Sequence, residues 1–332
     1  MSTTQLVDSF GRRISYLRLS VTDRCDFRCG YCMNERMTFL PRNQILSFEE
    51  IETLVKAFTE LGVGKVRVTG GEPLVRKDVI NLLGRLGAID GLKELVLTSN
   101  GSQLAEQAAA IKAAGVQRIN ISLDAVDADI FSRITRRNSL QQVLDGIEAA
   151  RRHQFKRIKL NSVIMRGIND DQILPLLEFA RDSGLDISYI EEMPLGDVTT
   201  RALGSKFMSS AEIRKQIEQR FTLVPTTESS GGPARYFYIE GDRRTRIGFI
   251  SPHSHNFCSS CNRVRVTAEG KLIHCLGDEG AIDLKPVLRT YPGNTVPVKQ
   301  LLLETIRFKP EQHTFQIRDG VQVIRFMNMT GG

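Results

Sequence analysis

Between residues 14 and 193, short runs of alternating hydrophobic and polar residues recur, with helical segments between them. Alternation with a period of two predicts strands that have one apolar face and one polar face. Six strand and helix units in succession predict a parallel sheet with crossover helices. The predicted strands lie at 14–22, 65–69, 94–99, 118–124, 157–165 and 187–193.

The helical segments have apolar residues at helical spacing, and the first has a recognisable start. Ser47 is followed three residues later by Glu50, which is the pattern of a capping box. It precedes an apolar face formed by Ile51, Leu54, Val55 and Phe58. Further helices are predicted at roughly 78–87, 103–114, 139–153 and 171–183.

The polar face of the strands decides between the parallel architectures. Leu17 and Leu19 alternate with Arg18 and Ser20, and three later strands show the same pattern. A doubly wound sheet is covered by helices on both faces and reads as nearly continuous hydrophobic runs. A closed eight-strand barrel fills its interior with packed side chains. We therefore expect an α/β fold with an incomplete six-unit (βα)6 TIM-type barrel and a polar, cation-lined lumen. An antiparallel sheet with one wet face is the alternative, which the intervening helices disfavour.

The repeat stops after residue 194. The remaining chain predicts a helix at 209–221, short strands near 235–241 and 246–251, a hairpin over 262–275 that turns at Glu269 and Gly270, and a helix near 297–306. We expect this part to be an extension that covers the barrel mouth. The expected division is an N-terminal segment at 1–13, the barrel core at 14–194 and the C-terminal extension at 195–332.

Composition describes an ordinary globular protein of 332 residues, 41% hydrophobic and 25% charged. Lys and Arg exceed Asp and Glu by 45 − 38 = 7, so the surface favours an anionic partner. Nucleic acid is not expected, because tryptophan is absent and aromatic and basic residues are not interleaved. No membrane association is expected, because no uncharged apolar stretch is long enough to span a bilayer. Residues 1–13 carry no apolar run, so we expect a cytoplasmic protein.

All six cysteines fall into two tight groups. In a cytoplasmic chain, clustered cysteines indicate a metal site or catalysis rather than disulfides. The first group follows the first strand at its carboxyl end, where barrel enzymes place their chemistry. The groups are Cys25, Cys29 and Cys32, then Cys258, Cys261 and Cys275.

Three thiolates are one too few for a cluster of four irons, so one iron stays open for a ligand. A zinc site with a fourth ligand elsewhere is the alternative for the first group. For the second group, zinc is a stronger competitor, because a nearby histidine could complete a Cys3His site. The candidate histidines are His253, His255 and His274.

The spacing of the first cysteines, Tyr31 before the third of them, and the sequence Gly70-Gly71-Glu72-Pro73 after the second strand resemble the radical S-adenosylmethionine (SAM) superfamily. With the second cysteine group, the sequence Arg263-Val264-Arg265 and the terminal Gly331-Gly332, nearly the full chain is similar to GTP 3′,8-cyclases. That resemblance implies two 4Fe-4S clusters and SAM as cofactors. It implies conversion of GTP to (8S)-3′,8-cyclo-7,8-dihydroguanosine 5′-triphosphate, the first step of molybdenum cofactor biosynthesis.

The resemblance also implies the site residues. The six cysteines would hold the clusters. Contacts to SAM would come from Tyr31, Gly71, Ser122 and Met193. Contacts to GTP would come from Arg18, Arg67, Thr98, Lys159, Arg263, Val264 and Arg265. The residues with catalytic roles would be Arg263, Arg265, Gly331 and Gly332.

One position departs from the family. The sixth strand reads Ser188-Tyr189-Ile190-Glu191, where the family usually has Arg at the first of these positions. One phosphate contact is thereby lost, unless Arg157 or another cation replaces it.

The implied partners are GTP, an external one-electron reductant and a downstream enzyme that receives the cyclised nucleotide. The sequence leaves the oligomeric state open, and a homo-oligomer is compatible with it. The rival functions are a radical enzyme that modifies a peptide and a zinc-stabilised nucleic-acid-binding protein. A cationic lumen disfavours both, because a peptide does not require one and nucleic acid needs an exterior basic face.

Overall fold

The computed structural model describes residues 5–196, 206–317 and 322–331. Its centre is a set of six parallel strands that lie side by side in chain order. The predicted parallel α/β fold is therefore confirmed. The strands are β1 Tyr16–Ser20, β2 Lys65–Thr69, β3 Glu94–Ser99, β4 Arg118–Ser122, β5 Arg157–Ile164 and β6 Asp186–Glu191.

Helices connect these strands, as the crossover geometry of parallel pairs requires. The capping box at Ser47 and Glu50 is formed at the start of the first helix. One helix was not predicted: it is short, and the Asp127 side chain caps it by accepting from the backbone N–H groups of Asp129 and Ile130. The helices are α1 Phe48–Glu60, α2 Val79–Gly87, α3 Leu104–Ala113, α4 Ala128–Thr135, α5 Leu140–Arg152 and α6 Ile173–Asp182.

The C-terminal part extends the same sheet at both edges, which the sequence did not predict. Strand β10, Arg263–Val266, pairs in parallel with β1, and β9, Asp242–Ile250, pairs in parallel with β6. The parallel part of the sheet therefore has eight strands among the described residues rather than six. The remaining elements are β7 Leu223–Pro225, β8 Arg235–Ile239, β11 Lys271–Ile273, β12 Ile282–Asp283, α7 Ser210–Glu218, α8 Lys285–Thr290, α9 Thr295–Thr305 and α10 Met327–Thr330.

The two faces of the strands separate as their alternation predicts. Leu17, Leu19 and their counterparts on the next strands are fully buried in one hydrophobic core beneath the helices. Side chains of the opposite face, from β10 through β6 to β9, line one cavity. A sheet whose distant strands line one cavity is curled, which is compatible with an open barrel. None of the described helices has the length and apolar character needed to cross a membrane.

Candidate active site

The first cysteine group lies on the loop that follows β1. Cys25, Cys29 and Cys32 are all half-buried. Burial and the neighbouring thiols of Cys32 and Cys25 raise the pKa of Cys29 well above its ordinary value, so the three sulfurs form one electrostatic group. Three thiols on one loop have the donor chemistry of an iron-sulfur cluster with one iron left open; the described residues contain no group of three His, Cys, Asp or Glu arranged to hold a single metal ion.

Gly70 and Gly71 bring the end of β2 against this cysteine loop. The Gly71 N–H donates to the Thr22 carbonyl at 2.8 Å. A Cβ at Gly70 would lie 2.6 Å from the Thr22 carbonyl oxygen, and one at Gly71 would lie 2.4 Å from the Arg24 carbonyl oxygen. Both residues must therefore be glycine for the loop to pack here.

Glu72, the next residue, ties the loops after β2 and β3 together. It is fully buried and accepts from the backbone N–H of Asn100 at 2.6 Å and the Ser99 hydroxyl at 3.0 Å. Burial raises the pKa of Glu72 to about 8. Asn100 in turn donates to Asp26 at 2.6 Å, beside Cys25.

Tyr31 and Ser122, two of the residues expected to contact SAM, lie near the carboxyl ends of the strands. The Tyr31 hydroxyl donates to Asp124 at 2.8 Å, and Asp124 follows Ser122 and the end of β4. Met193 follows β6 and lines the cavity. Of the four expected SAM contacts, only Met193 is among the described residues that line this cavity.

The second cysteine group lies in the wall of the cavity. Cys258 begins a single turn of 3-10 helix, Cys261 follows that turn, and Cys275 comes two residues after β11. Burial raises the pKa of Cys275, with smaller contributions from the Cys258 and Cys261 thiols. The three sulfurs are therefore gathered as one group, and all three residues line the cavity.

The N-terminal segment holds this second loop in place. Arg12 is buried and pairs with Asp8 at 2.6 Å. Its guanidinium also donates to the carbonyl of Cys258 at 2.8 Å and to the carbonyls of Pro310 and Glu311, each at 2.6 Å. One arginine therefore joins the chain before β1 to the second cysteine loop and to the segment after α9.

Cations line the cavity beside the second cysteine group. Because β10 pairs in register with β1, Arg18 lies opposite Arg265 and Tyr16 lies opposite Arg263. Burial and the charges of Arg18 and Arg263 lower the pKa of Arg265 well below its ordinary value. An anion in the cavity would relieve this repulsion. The lining residues of this set are Tyr16, Arg18, Lys65, Arg67, Lys159, Arg263, Val264 and Arg265.

Two of the expected GTP contacts are placed differently from the rest. Thr98 is buried behind Arg67 and accepts from its guanidinium at 3.0 Å, so it positions that cation. Val264 lines the cavity and also belongs to the hydrophobic core.

Below these cations, at the amino ends of the strands, ion pairs form a floor. Glu94 pairs with Lys65 at 3.0 Å and with Arg118 at 2.5 Å. Asp186 pairs with Arg246 at 2.5 Å and with Arg157 at 3.5 Å. Arg157 therefore pairs with Asp186 at the amino ends of the strands and is not among the described residues that line the cavity.

Tyr16 is the titratable group at the centre of this cation set. Its hydroxyl accepts from Nε of Arg67. Burial acts to raise the pKa of Tyr16, but the charges of Arg67, Arg18 and Lys65 outweigh it and lower that pKa to about 7.

Ser188 makes room for a tyrosine. It is fully buried, and its hydroxyl has no hydrogen-bond partner among the described residues. The ring of Tyr236 packs beside it, over Gly248, where a Cβ would lie 3.0 Å from the ring. The Tyr236 hydroxyl accepts from Lys159 at 3.5 Å and contacts the Ser230 hydroxyl at 3.0 Å.

The end of the chain contacts two arginines that line the cavity. Gly331 is buried, with a φ of +76°. Its carbonyl accepts from Nη1 of Arg265 and, at 3.3 Å, from Nη2 of Arg18. A Cβ at Gly331 would lie 2.4 Å from a methyl group of Thr69. Gly332 lies outside the described residues.

Sequence reasoning missed several lining residues. The strand alternation that singled out Arg18, Arg67 and Lys159 could have found those with the same parity, because they lie on the same face. Others come from the C-terminal part, where no local pattern marked them. The missed lining residues are Tyr16, Lys65, Asn120, Asn161 and Lys309. Tyr236, which contacts Lys159 without lining this cavity, was also missed.

Comparison with known proteins supports the class that this geometry indicates. The model of the Radical SAM superfamily matches residues 19–180, and that of Molybdenum Cofactor Synthesis C matches residues 185–315. SuiB of Streptococcus suis bound to S-adenosylmethionine has the same fold, with a TM-score of 0.58 and 16% identity over 89% of this chain and 68% of that chain. SuiB bound to the precursor peptide SuiA has a TM-score of 0.59 at 15% identity, covering 89% of this chain and 66% of that chain. Fold and cysteine loop together define a radical SAM enzyme.

Relatives with higher sequence identity show which family within this class the chain belongs to. The chain is 59% identical to a GTP 3′,8-cyclase of Ectopseudomonas mendocina and 57% identical to GTP 3′,8-cyclase 2 of Pseudomonas aeruginosa, each over 332 residues and the whole of both chains. A GTP 3′,8-cyclase of Marinobacter nauticus is 54% identical over the same length. The chain belongs to the GTP 3′,8-cyclase family.

Proposed function

We propose that this enzyme converts GTP to (8S)-3′,8-cyclo-7,8-dihydroguanosine 5′-triphosphate, the first step of molybdenum cofactor biosynthesis. The observation that carries the proposal is the cavity in which cations of β1, β2, β5 and β10 lie beside Cys258, Cys261 and Cys275. The triphosphate of GTP is an anion that such cations bind, and its base can reach this cysteine group.

Cys25, Cys29 and Cys32 would hold a 4Fe-4S cluster beside SAM, with Tyr31, Gly71, Ser122 and Met193 as the SAM contacts. Bound there, the cluster and SAM would supply the one-electron chemistry that removes a hydrogen from the ribose of GTP and allows the ribose to bond to the guanine base. The chain's own part is to orient the nucleotide, hold its charge and exclude water. The buried carboxyl of Glu72 fixes the loops around this site.

Cys258, Cys261 and Cys275 would hold a second 4Fe-4S cluster, with its open iron toward the guanine base. The position of Arg263 supports a role for this cysteine group in binding GTP, because Nη2 of Arg263 lies 3.9 Å from the Cys261 sulfur. Burial acts to raise the pKa of Cys261, but the positive charges of Arg263 and Lys309 lower it to about 7, which favours the ligating thiolate.

The triphosphate would be bound by Arg18, Arg67, Lys159, Arg263 and Arg265, with Val264 beside them and Thr98 holding Arg67. Guanidinium groups suit phosphate because they donate paired, charge-assisted hydrogen bonds. Around Ser188, Tyr236 occupies the space that a larger side chain would need. The cavity cation beside Tyr236 is Lys159, which donates to the Tyr236 hydroxyl. Arg157 pairs with Asp186 instead.

The tail would act in catalysis through Gly331 and Gly332, since the Gly331 carbonyl already contacts Arg265 and Arg18. The proposal divides the chain into the segment 1–13, the core 14–194 and the extension 195–332. The two family models meet between residues 180 and 185, which supports a core followed by an extension but puts the boundary before β6 rather than after it. The reaction also requires an external one-electron reductant and a downstream enzyme that accepts the cyclised nucleotide.

The test is anaerobic purification followed by iron and sulfide analysis and by incubation with GTP, SAM and dithionite. We expect about eight irons per chain, from two clusters of four, and formation of 5′-deoxyadenosine with the cyclised nucleotide. Replacing Cys25 by Ser should abolish SAM cleavage, whereas Cys261→Ser should leave some cleavage without cyclised product. Stoichiometric zinc without a second cluster would refute the two-cluster proposal, and cleavage of SAM without cyclisation of GTP by the intact enzyme would refute the function.

A further inference from the structure

The outer side of the first cysteine loop is surrounded by exposed and half-buried cations. The Arg28 guanidinium lies 5.1 Å from the ring centre of Phe39, and that of Arg24 lies 5.7 Å from the same ring. On one flank, Arg137 donates to the carbonyl of Asp26 at 2.9 Å. Arg42 and Lys77 line a depression together with Arg24 on the other flank. We name these five cations the basic rim: Arg24, Arg28, Arg42, Lys77 and Arg137.

On the other flank the rim continues into a surface depression between the cysteine loop and the start of α1. Arg24, Arg42 and Lys77 line this depression, together with Arg76 and Arg289. The depression is separate from the cation-lined cavity, which shares none of its lining residues.

No carboxylate among the described residues forms an ion pair with a cation of the basic rim. The nearby acidic groups are engaged elsewhere: Asp26 accepts from Asn100 and Ser102, and Glu49 pairs with Arg85. Glu50 pairs with Arg289. Glu35 and Asp78 are the other exposed acidic residues here, too few to offset the five cations of the rim.

The two cysteine groups differ in how an external protein could reach them. Cys25, Cys29 and Cys32 are half-buried on a loop with an exposed outer side. Cys258 is buried, and its loop is held from behind by Arg12. Cys261 and Cys275 are half-buried like the first group, so it is the charge of the basic rim, and not exposure, that distinguishes the first cysteine loop.

We propose that the basic rim is the docking surface for a small acidic protein that carries single electrons on a flavin or an iron-sulfur group. This inference rests on the proposed function, which consumes one electron from outside each time SAM is cleaved. The carrier loses one electron, and the cluster on Cys25, Cys29 and Cys32 gains it. Encounters of this kind use small interfaces and depend on charge for their rate.

The experiment uses the enzyme with its clusters and an acidic flavodoxin as the probe. Arg42→Glu with Lys77→Glu removes two rim cations whose side chains make no hydrogen bond or ion pair among the described residues. The matched control is Arg152→Glu with Lys156→Glu, which makes the same charge change at the amino ends of the strands. Iron content and circular dichroism establish that both variants are folded and loaded.

Two readouts are independent of turnover: the affinity for oxidised flavodoxin by calorimetry, and the rate at which reduced flavodoxin bleaches the cluster absorbance. We expect the rim variant to lose about tenfold or more in both at low salt, and the wild-type rate to fall as salt screens the charges. The control should stay within about twofold of wild type. Reduction by dithionite, which needs no docking, should be equal in all three proteins.

Equal loss in rim and control variants, or a wild-type rate that salt does not change, would overturn the proposal. Anionic phospholipid vesicles and nucleic acid are tested in parallel. Loss of binding to one of these with unchanged flavodoxin kinetics would assign the rim to that polyanion and also overturn it. Failure of the wild-type enzyme to cyclise GTP with dithionite would instead refute the proposed function, because that assay does not involve the rim.

Discussion

Tyr16 lies where one proton changes the charge of the whole cation set. Its hydroxyl contacts Arg67, and the surrounding cations lower its pKa to about 7. Below that value the tyrosine is neutral and the cavity has its full positive charge. Above it, the phenolate neutralises part of that charge. The same lowered pKa means that Tyr16 stabilises the folded state increasingly as the pH rises from about 7 to about 10, and that this contribution is absent below 7.

We expect the affinity for GTP to fall between pH 7 and pH 9, because the Tyr16 phenolate repels the triphosphate. In Tyr16→Phe this fall should largely disappear, which equilibrium binding of GTP across the pH range can measure. The matched control is Tyr291→Phe, whose ring is exposed at the surface. Parallel pH curves for wild type and Tyr16→Phe would contradict the assignment.

Arg263 and Arg265 face the same side of β10, toward the cavity. We expect Arg265→Ala to weaken GTP binding about tenfold or more, because a charge-assisted contact contributes roughly 1.5–3 kcal/mol. Arg263→Ala should also uncouple SAM cleavage from cyclisation, since Arg263 lies beside Cys261. Iron content and product formed per SAM cleaved are the measurements. Unchanged GTP affinity and turnover in the double variant would refute both roles.

Among the elements, the tail after α10 has closely defined contacts, with Arg265, Arg18 and Thr69. We expect deletion of Gly331 and Gly332, or residues added after Gly332, to reduce GTP conversion strongly while fold and iron content remain. Gly331→Ala should behave similarly, because a methyl group there meets Thr69 and a φ of +76° disfavours alanine. Product formed per SAM cleaved distinguishes the tail's role from simple loss of binding. A truncated enzyme equal to the full-length chain in rate and coupling would show that the tail has no function.

The elements that the sequence predicted well are those with local causes. Alternation found all six central strands, and the Ser47 capping box fixed the start of α1. The pairing of β9 and β10 with the central strands could not be predicted, because it depends on partners far away in the sequence: Ile187 and Ile247 are 247 − 187 = 60 residues apart, and Tyr16 and Arg263 are 263 − 16 = 247 residues apart. The packing of Gly71 on the cysteine loop was missed for the same reason. The cation set was partly predicted by parity. Tyr236 was not predicted, because it contacts Lys159 from β8, a strand far from β5 in the sequence.

At the scale of the whole molecule, Arg12 connects three separate parts of the chain. We expect Arg12→Ala to destabilise the fold by about 3–5 kcal/mol, because it leaves Asp8 buried without its partner. Thermal unfolding should show a lower Tm, and the second cysteine group should lose iron first. The exposed neighbour provides the control, since Arg13→Ala should change Tm little. An unchanged Tm in Arg12→Ala would show that the connection contributes nothing to stability.

The pairing of β10 with β1 also has a consequence for biosynthesis. A ribosome completes Tyr16–Ser20 long before it reaches Arg263–Val266, and at 5–20 residues per second the interval is on the order of ten to fifty seconds. Throughout that time the nascent chain has a strand edge with no neighbour, and such edges pair readily with other chains. Translation that stops before residue 263 therefore leaves a product with a permanently open edge, and protection by chaperones matters most for exactly those unfinished chains.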